Sequence, residues 1–251
     1  MTATLLIVAL GAAVAGFVQG LSGFAFGMVA MSFWAWALEP RLAAALTVFG
    51  ALVGQVLAAV TMRRGWRSWD WRRLLPFVAG GLAGIPLGVL LLPHLDVLWF
   101  KAILGTLLVL FCPAMLFAKH LPRIAWGGRL GDGAAGLVGG VMGGIGGFTG
   151  VAPTLWCALR GYEKDAQRAV IQNFNLAMLA VTMGTYLATG VVTPEMLPLF
   201  AVVAPAMLVP TLLGARLYVG ISEARFRQIV LGLLTASGVA LLAAALPRLL
   251  G

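Results

Sequence analysis

The stretch GGVMGGIGGFTGVAP, residues 139–153, places seven glycines among fifteen residues inside a long apolar segment. Glycine in a helix interior costs roughly 0.5–1 kcal/mol relative to alanine, so this density indicates a departure from a regular helix. Glycine adopts backbone angles that other residues avoid and lets neighbouring segments approach closely. The stretch therefore predicts either a helical hairpin that turns inside a membrane or a packing face of small residues.

The composition of the chain indicates an all-α integral membrane protein. Of its 251 residues, 61% are hydrophobic and 10% are charged, and the mean hydropathy is +1.01. Uncharged runs of about 20 residues, the length that crosses ~30 Å of hydrocarbon as a helix, recur along the whole sequence. The net charge of +9 comes mostly from basic residues between the apolar runs, where orientation signals belong. No nucleic-acid partner is therefore expected.

The uncharged runs divide the chain into eight hydrophobic segments. They cover approximately residues 4–38, 42–62, 74–95, 97–118, 133–159, 169–189, 196–215 and 229–246. The first and the fifth segments are interrupted by glycine, and the first is longer than the ~20 residues that one crossing requires. We predict that each of these two segments is a Gly-rich re-entrant helical hairpin and that the other six are transmembrane helices.

The distribution of Lys and Arg favours a hairpin at the fifth segment. Cytoplasmic loops of membrane proteins are enriched in these residues, and residues 63–73 contain five arginines and one aspartate. If the fifth segment crossed the membrane once, six basic residues of the second half would lie outside, which inverts the rule. If the segment enters and returns, 14 of the 17 Lys and Arg residues face the cytoplasm and both termini are periplasmic.

The two halves of the sequence resemble each other. Residues 15–36 align without a gap on residues 135–156 with seven identities in 22 positions, and a stretch from Trp99 resembles one from Phe226. We predict a first membrane repeat over 1–118, a basic cytoplasmic linker over 119–132 and a second membrane repeat over 133–251. One hairpin plus three crossings inverts the second repeat relative to the first. Inverted repeats are common in secondary transporters, whose substrate site lies near the midplane between broken helices.

A Gly-rich segment, a short loop and a helix are followed by a basic loop and a second copy of the same order. The residues that carry this pattern are Gly16, Gly20, Ser22, Gly23, Gly27, Ala45, Thr47, Gly136, Gly140, Gly143, Gly144, Gly146, Gly147 and Pro153. The pattern resembles the sulfite exporter TauE/SafE family of membrane permeases. The resemblance implies a permease of the bacterial inner membrane that exports, or in some members imports, a small sulfur-containing anion such as sulfite, sulfoacetate or another organosulfonate.

Neutral groups must bind an anion in the predicted membrane core, because no Lys or Arg lies near the middle of any segment. Helix N-termini offer unpaired N–H groups and about half a positive charge each, and the returning arm of each hairpin would begin near its apex. The predicted substrate-binding residues are Ser22, Gly23, Phe24, Gly27, Thr47, Gly143, Gly144, Gly146, Gly147, Thr149, Gln172, Asn173 and Asn175. The amides within 172–175 either bind the substrate or form hydrogen bonds between helices.

The energetics favour export. Moving one elementary charge through 100 mV is worth ~2.3 kcal/mol, so an inside-negative membrane drives anions outward. All eight acidic residues lie in loops or at segment ends, and the sequence therefore predicts export without a coupled cation. Cation-coupled import of an organosulfonate or another organic anion and a passive anion channel are the alternatives. An enzyme would need a nucleophile and a base, or metal ligands, at one depth; no enzymatic activity, cofactor or metal is expected.

Overall fold

The described part of the computed structural model has helices and no strands, which confirms the all-α class predicted from the sequence. The structure describes residues 2–22, 25–61, 71–118, 123–217 and 223–250. These residues form ten α-helices and no strand. The helices are α1 (Thr2–Ser22), α2 (Phe26–Trp34), α3 (Pro40–Thr61), α4 (Trp71–Leu91), α5 (Val97–Leu116), α6 (Gly128–Gly146), α7 (Val151–Leu159), α8 (Lys164–Ala188), α9 (Leu197–Leu217) and α10 (Glu223–Leu250).

Six of the described helices are long and apolar enough to cross a membrane. The candidate spans are Ala3–Leu21, Pro40–Val60, Trp71–His94, Val97–Leu116, Pro194–Ala215 and Arg225–Leu249. The long helices α6 and α8 are less apolar, because nine of the 19 residues of α6 are glycine and α8 contains several amide side chains. The spans indicate a multi-pass membrane protein.

The Gly-rich stretch contains the end of α6 and a sharp turn. Gly147 has a φ of +78°, a backbone conformation that residues with a side chain rarely adopt. The N–H groups of Gly147 and Phe148 donate to the carbonyls of Gly143 and Met142 at 2.8 and 3.3 Å, a pattern that commonly terminates helices. The chain then reverses, and α7 begins four residues after Gly147.

The second helix of each Gly-rich segment runs back along the first. Ile124, four residues before α6, donates from its N–H to the carbonyl of Leu159, the last residue of α7, at 2.8 Å. In the first segment, Trp34 at the end of α2 donates from Nε1 to the carbonyl of Ile7 in α1 at 3.3 Å. Both Gly-rich segments are therefore pairs of antiparallel helices.

The glycines of α6 lie on two faces, so the turn and the small-residue packing face both occur in the structure. Gly136, Gly140 and Gly144 contact the backbone of α4; a Cβ on Gly144 would lie 2.7 Å from the carbonyl oxygen of Ile85. Gly139 faces the turn before α7 instead, since a Cβ there would lie 2.6 Å from a backbone oxygen. One stripe of glycines fixes α6 on α4, and the other admits the returning chain.

Two pairs of helices from opposite halves of the chain pack in parallel at close range. The pairs are α1 with α9 and α4 with α6. The residues in register are Gly16 with Met207, Gly20 with Thr211, Gly80 with Gly133 and Gly88 with Val141. Because residue numbers rise together on both members of each pair, the two helices of a pair run in the same direction.

The helices α5 and α10 pack against each other in opposite directions. Near the end of α5, Arg227 of α10 donates from Nη2 to the carbonyl of Met115 at 3.0 Å. Nearer the middle of α5, a Cβ on Gly105 would lie 2.9 Å from the carbonyl oxygen of Gly238. Residue numbers fall on α10 as they rise on α5, so this pair is antiparallel.

Candidate functional site

A small cavity of about 20 Å³ lies where the two broken helix pairs meet. Its wall is formed by Gln19, Gly27, Met28, Ala51, Gln55, Phe111, Gly147, Phe148, Thr149, Gly150, Val151, Asn175 and Leu179. Ala51 and Asn175 lie near the middle of α3 and α8, so the cavity lies about halfway along these helices. A volume of this size accommodates about one water molecule. An anion of several heavy atoms can therefore bind only after the wall moves apart.

The two helix breaks touch at Gly27 and Gly147. A Cβ on Gly27 would lie 3.2 Å from the carbonyl oxygen of Gly147 and 3.4 Å from Cγ2 of Thr47. Thr47 itself is buried, and its hydroxyl faces Met31 Sδ at 4.0 Å. The structure thus brings three of the predicted residues together, with Gly27 and Gly147 in the cavity wall and Thr47 directly behind them.

Thr149 and Asn175 form a buried pair in the cavity wall. Thr149 Oγ1 donates to Asn175 Oδ1 at 2.9 Å, and the two residues are 2% and 3% exposed. The amide lies over Gly150, where a Cβ would be 2.8 Å from both Nδ2 and Oδ1. Because Oδ1 accepts from Thr149, the NH₂ group is the part of this amide that can donate to a ligand.

The other predicted glycines of α6 lie outside the cavity wall. Gly143 faces the side chain of Thr149, Gly146 faces Phe148, and Gly144 packs on α4. The carbonyl of Gly144 accepts from the Tyr186 hydroxyl at 2.6 Å. Unpaired carbonyls at a helix C-terminus carry about half a negative charge. This bond therefore lowers the negative potential that the end of α6 directs at the cavity.

We expect Tyr186→Phe to lower the free energy of unfolding by about 1–3 kcal/mol, because it leaves the buried carbonyl of Gly144 without a partner. Thermal unfolding of the purified protein in detergent measures this change. Tyr162→Phe is the matched control, since it retains the ring that lies 5.9 Å from Arg73 Cζ. Equal melting temperatures for the two variants would show that the Tyr186 hydroxyl does not stabilise α6.

The amide cluster of α8 divides between the cavity and its own helix. Asn175 lines the cavity, whereas Asn173 Nδ2 donates to the carbonyl of Ala169, four residues earlier, at 2.9 Å. Gln172 is half-buried and is not part of the cavity wall. In the first half of the chain, Ser22 is the last residue of α1, and Gly23 and Phe24 lie outside the described residues.

Two glutamines of the cavity wall, Gln19 and Gln55, were not predicted from the sequence. They are 3% and 4% exposed, and each lies in an otherwise apolar helix. Buried amides in a membrane segment are costly unless they are paired or used, and this cost is the signal that could have identified them. The binding residues were predicted mainly from the glycine pattern, which locates the turns but does not identify the helices that face these turns.

The described wall of the cavity contains no charged side chain. The nearest acidic residue in the second helix pair is Asp132, in the second turn of α6, where Oδ1 accepts from Trp156 Nε1 at 2.7 Å. Asp132 lies at a segment end, as predicted, but its side chain is only 5% exposed. It joins α6 to α7 and does not line the cavity.

A bundle of membrane helices with a polar cavity between two broken helices is the arrangement found in secondary transporters. The sequence model described as Sulfite exporter TauE/SafE matches residues 8–241 of the chain. The protein therefore belongs to the sulfite exporter TauE/SafE family, and the resemblance inferred from the glycine pattern is confirmed. Searches among curated proteins and among solved structures found no match. The family suggests a membrane transporter of sulfur-containing anions.

Proposed function

We propose that the protein is a secondary transporter that exports a small sulfur-containing oxyanion, such as sulfite or an organosulfonate, across the bacterial inner membrane. The observation that carries this proposal is the small polar cavity between the two helix breaks. Asn175 offers its amide NH₂ group as a donor, and the Thr149 hydroxyl, whose single proton is donated to Asn175 Oδ1, holds the amide in this orientation. The first turns of α2 and α7 add the N–H groups of Gly27, Met28 and Ala152. The other N–H groups of these turns donate to protein acceptors, and Pro153 has none. Sulfonyl oxygens are suitable acceptors for the Asn175 amide and for these three N–H groups.

The helix pairs support an inverted two-repeat plan. In this plan, α1, α4 and α5 of the first half correspond to α6, α9 and α10 of the second half. The packed pair of α1 and α9 is then equivalent to the packed pair of α6 and α4, and α5 packs on its own counterpart, α10. Because α5 and α10 are antiparallel and each follows its predecessor after a short connection, α4 and α9 also run in opposite directions. Since α6 is parallel to α4 and α1 is parallel to α9, the helices α1 and α6 are opposed, as inverted repeats require.

The basic residues support a cytoplasmic assignment for one end of the bundle. At that end, Arg73 lies over the ring of Tyr162, with 5.9 Å between Cζ and the ring centroid. The opposite end has fewer cations: Arg41 donates to the carbonyl of Pro93 at 3.5 Å, and Lys101 lies over a tryptophan ring. Lys and Arg concentrate on the cytoplasmic side, so we assign the first end to the cytoplasm and both termini to the periplasm.

Outward transport follows from the charge of the substrate. An inside-negative potential contributes ~2.3 kcal/mol per elementary charge and 100 mV toward the efflux of an anion. The described cavity wall includes no carboxylate that could carry a proton with the substrate. A cavity with room for about one water molecule also favours a carrier that closes around its substrate over an open channel.

Sulfite efflux from proteoliposomes tests this function. With inside-negative, zero and inside-positive potentials imposed, we expect saturable efflux that increases as the interior becomes more negative. Flux that does not saturate would favour a channel, and uptake that requires an inward cation gradient would favour an importer. If the folded protein moves no sulfite at any potential, the sulfite assignment is wrong, and sulfoacetate and other sulfonates become the next substrates to test.

Thr149 provides a matched pair of variants for this assay. Thr149→Val keeps the shape of the side chain but removes the hydroxyl that orients the Asn175 amide. We expect about a 10-fold to 100-fold fall in kcat/KM, since an amide that is no longer held toward the anion loses a hydrogen bond to a charged group, which is worth about 1.5–3 kcal/mol. Thr149→Ser keeps the hydroxyl and should retain most of the activity. Equal efflux by the two variants would contradict a role for this hydroxyl in binding.

A further inference from the structure

We infer that Gln19 binds the transported anion, with its amide NH₂ group donating a hydrogen bond to a substrate oxygen. The inference rests on the proposed function and adds a residue from the first half of the chain to the site. Gln19 lies in α1, one turn before its end, and forms part of the cavity wall.

The orientation of the Gln19 amide is fixed by the start of α2. The N–H of Phe26, the first residue of that helix, donates to Gln19 Oε1 at 2.9 Å. A backbone N–H requires an acceptor, so the carbonyl end of the amide must face Phe26. The oxygen therefore caps α2, and the NH₂ group is left to point elsewhere.

The NH₂ group has no acceptor in the described part of the chain. Gln19 is only 3% exposed, and Nε2 lies against α3, where a Cβ on Gly54 would be 2.6 Å away. A buried donor without a partner costs about 1–3 kcal/mol. Because Gln19 lines the cavity, a ligand oxygen that reaches Nε2 when the wall moves apart can remove that cost.

Donors from the two halves of the chain face one cavity. Gln19 comes from the first half, and the Asn175 amide, which is oriented by Thr149, comes from the second half. Sulfite and sulfonate groups each have three oxygens around one sulfur atom, so a single anion can accept from both sides at once. The described wall contributes neutral donors only, and each donor that is lost should therefore lower affinity strongly.

The variant Gln19→Glu separates the two ends of this side chain. A carboxylate still accepts from the N–H of Phe26, so the cap on α2 is retained, but the donor is replaced by a negative charge. At neutral pH, we expect kcat/KM for sulfite to fall about 100-fold, which combines the lost hydrogen bond with repulsion of the anion. Gln228→Glu, on the exposed face of α10, introduces the same charge away from the cavity and should leave efflux unchanged.

The pH dependence gives a readout that a purely structural role would not produce. Protonation of the introduced carboxyl removes its charge and supplies an O–H donor. The ratio of variant to wild-type efflux should therefore rise as pH falls, and using this ratio cancels the protonation of sulfite itself. Gln19→Leu, which lacks both donor and acceptor, should show a low ratio at every pH.

Gly54→Ala tests the same contact without altering Gln19. The new methyl group would lie 2.6 Å from Nε2 and should displace the flexible end of the amide while the protein still folds. We expect about a 10-fold rise in KM, the loss of one hydrogen bond to a charged group. Gly184→Ala, where a Cβ meets no described atom within 4 Å, is the control. This variant is decisive if Gln19→Glu does not yield folded protein.

The outcomes distinguish the inference from the proposed function. If wild-type protein exports sulfite and both Gln19→Glu and Gly54→Ala match it, the inference is overturned and the proposed function stands. Wild-type efflux by Gln19→Glu, with a loss confined to Gln19→Leu, would also overturn it, because the cap on α2 would then be enough to explain the residue. If wild-type protein moves neither sulfite nor an organosulfonate, the proposed function fails and the inference fails with it.

Discussion

Replacement of Gly140 by alanine is expected to destabilise the packing of α6 on α4 and lower the melting temperature of the protein. A Cβ at this position would lie 2.8 Å from the carbonyl carbon of Gly81 and in contact with its oxygen. The obstacle is backbone, which cannot move aside as a flexible side chain could. Overpacking of this kind costs about 1–3 kcal/mol or more. For a chain of this size, a loss of about 3 kcal/mol corresponds to roughly 6–12 °C in melting temperature.

The measurement is thermal unfolding and size-exclusion chromatography of the detergent-purified variants. Gly184→Ala and Gly232→Ala are the controls, because a Cβ at either position meets no described atom within 4 Å. These controls should be as stable as the wild type or gain about 0.5–1 kcal/mol from the higher helix propensity of alanine. A similar loss in all three variants would mean that close packing of α6 on α4 is not the reason for glycine at 140.

Asn175→Leu is expected to reduce sulfite efflux about 100-fold, since the substitution removes an amide donor from the cavity wall and the partner that orients Thr149. Each hydrogen bond to the anion is worth about 1.5–3 kcal/mol, or roughly a 10-fold to 100-fold change in binding. The assay is saturable efflux from proteoliposomes. Protein amount and orientation should be matched between the variants.

Asn173→Leu is the internal control for this prediction. The Asn173 amide donates to the carbonyl of Ala169 in its own helix, so its loss should leave efflux within about twofold of the wild type, as expected for a residue outside the site. The pair also tests the two interpretations of the amide cluster, which was predicted either to bind substrate or to join helices. If both variants lose transport equally, the division of the cluster between cavity and helix is wrong.

Much of the fold could be predicted from local features of the sequence. The length of the uncharged runs predicts helices, and the glycines at 143–150 predict the break. Gly147 shows why the break could be predicted locally. Its φ of +78° is needed to turn the chain at that point, and this need does not depend on distant partners. The two halves could be aligned for the same reason, because each contains a similar local pattern.

The cavity wall could be predicted only in part, because it depends on which helix faces meet. Gly140 and Gly144 form one stripe of α6, and Gly139 and Gly143 form another, four residues apart in each case. The spacing reveals the stripes but not their partners, and Gly144 was therefore assigned to the site although it packs on α4. Gln19 was missed for the same reason: its position beside α2 and α3 is a tertiary contact.

The close glycine contacts between halves of the chain determine which bodies can move. The first broken helix pair is fixed to α9, and the second is fixed to α4, through backbone contacts that leave no room for sliding. The broken helix pair of the first half therefore packs on a helix of the second half, and the broken pair of the second half packs on a helix of the first half. The halves are interleaved, so neither can rotate as a unit. Under the proposed transport function, opening the cavity first to one side of the membrane and then to the other requires relative motion of two composite bodies, each built from helices of both halves of the chain.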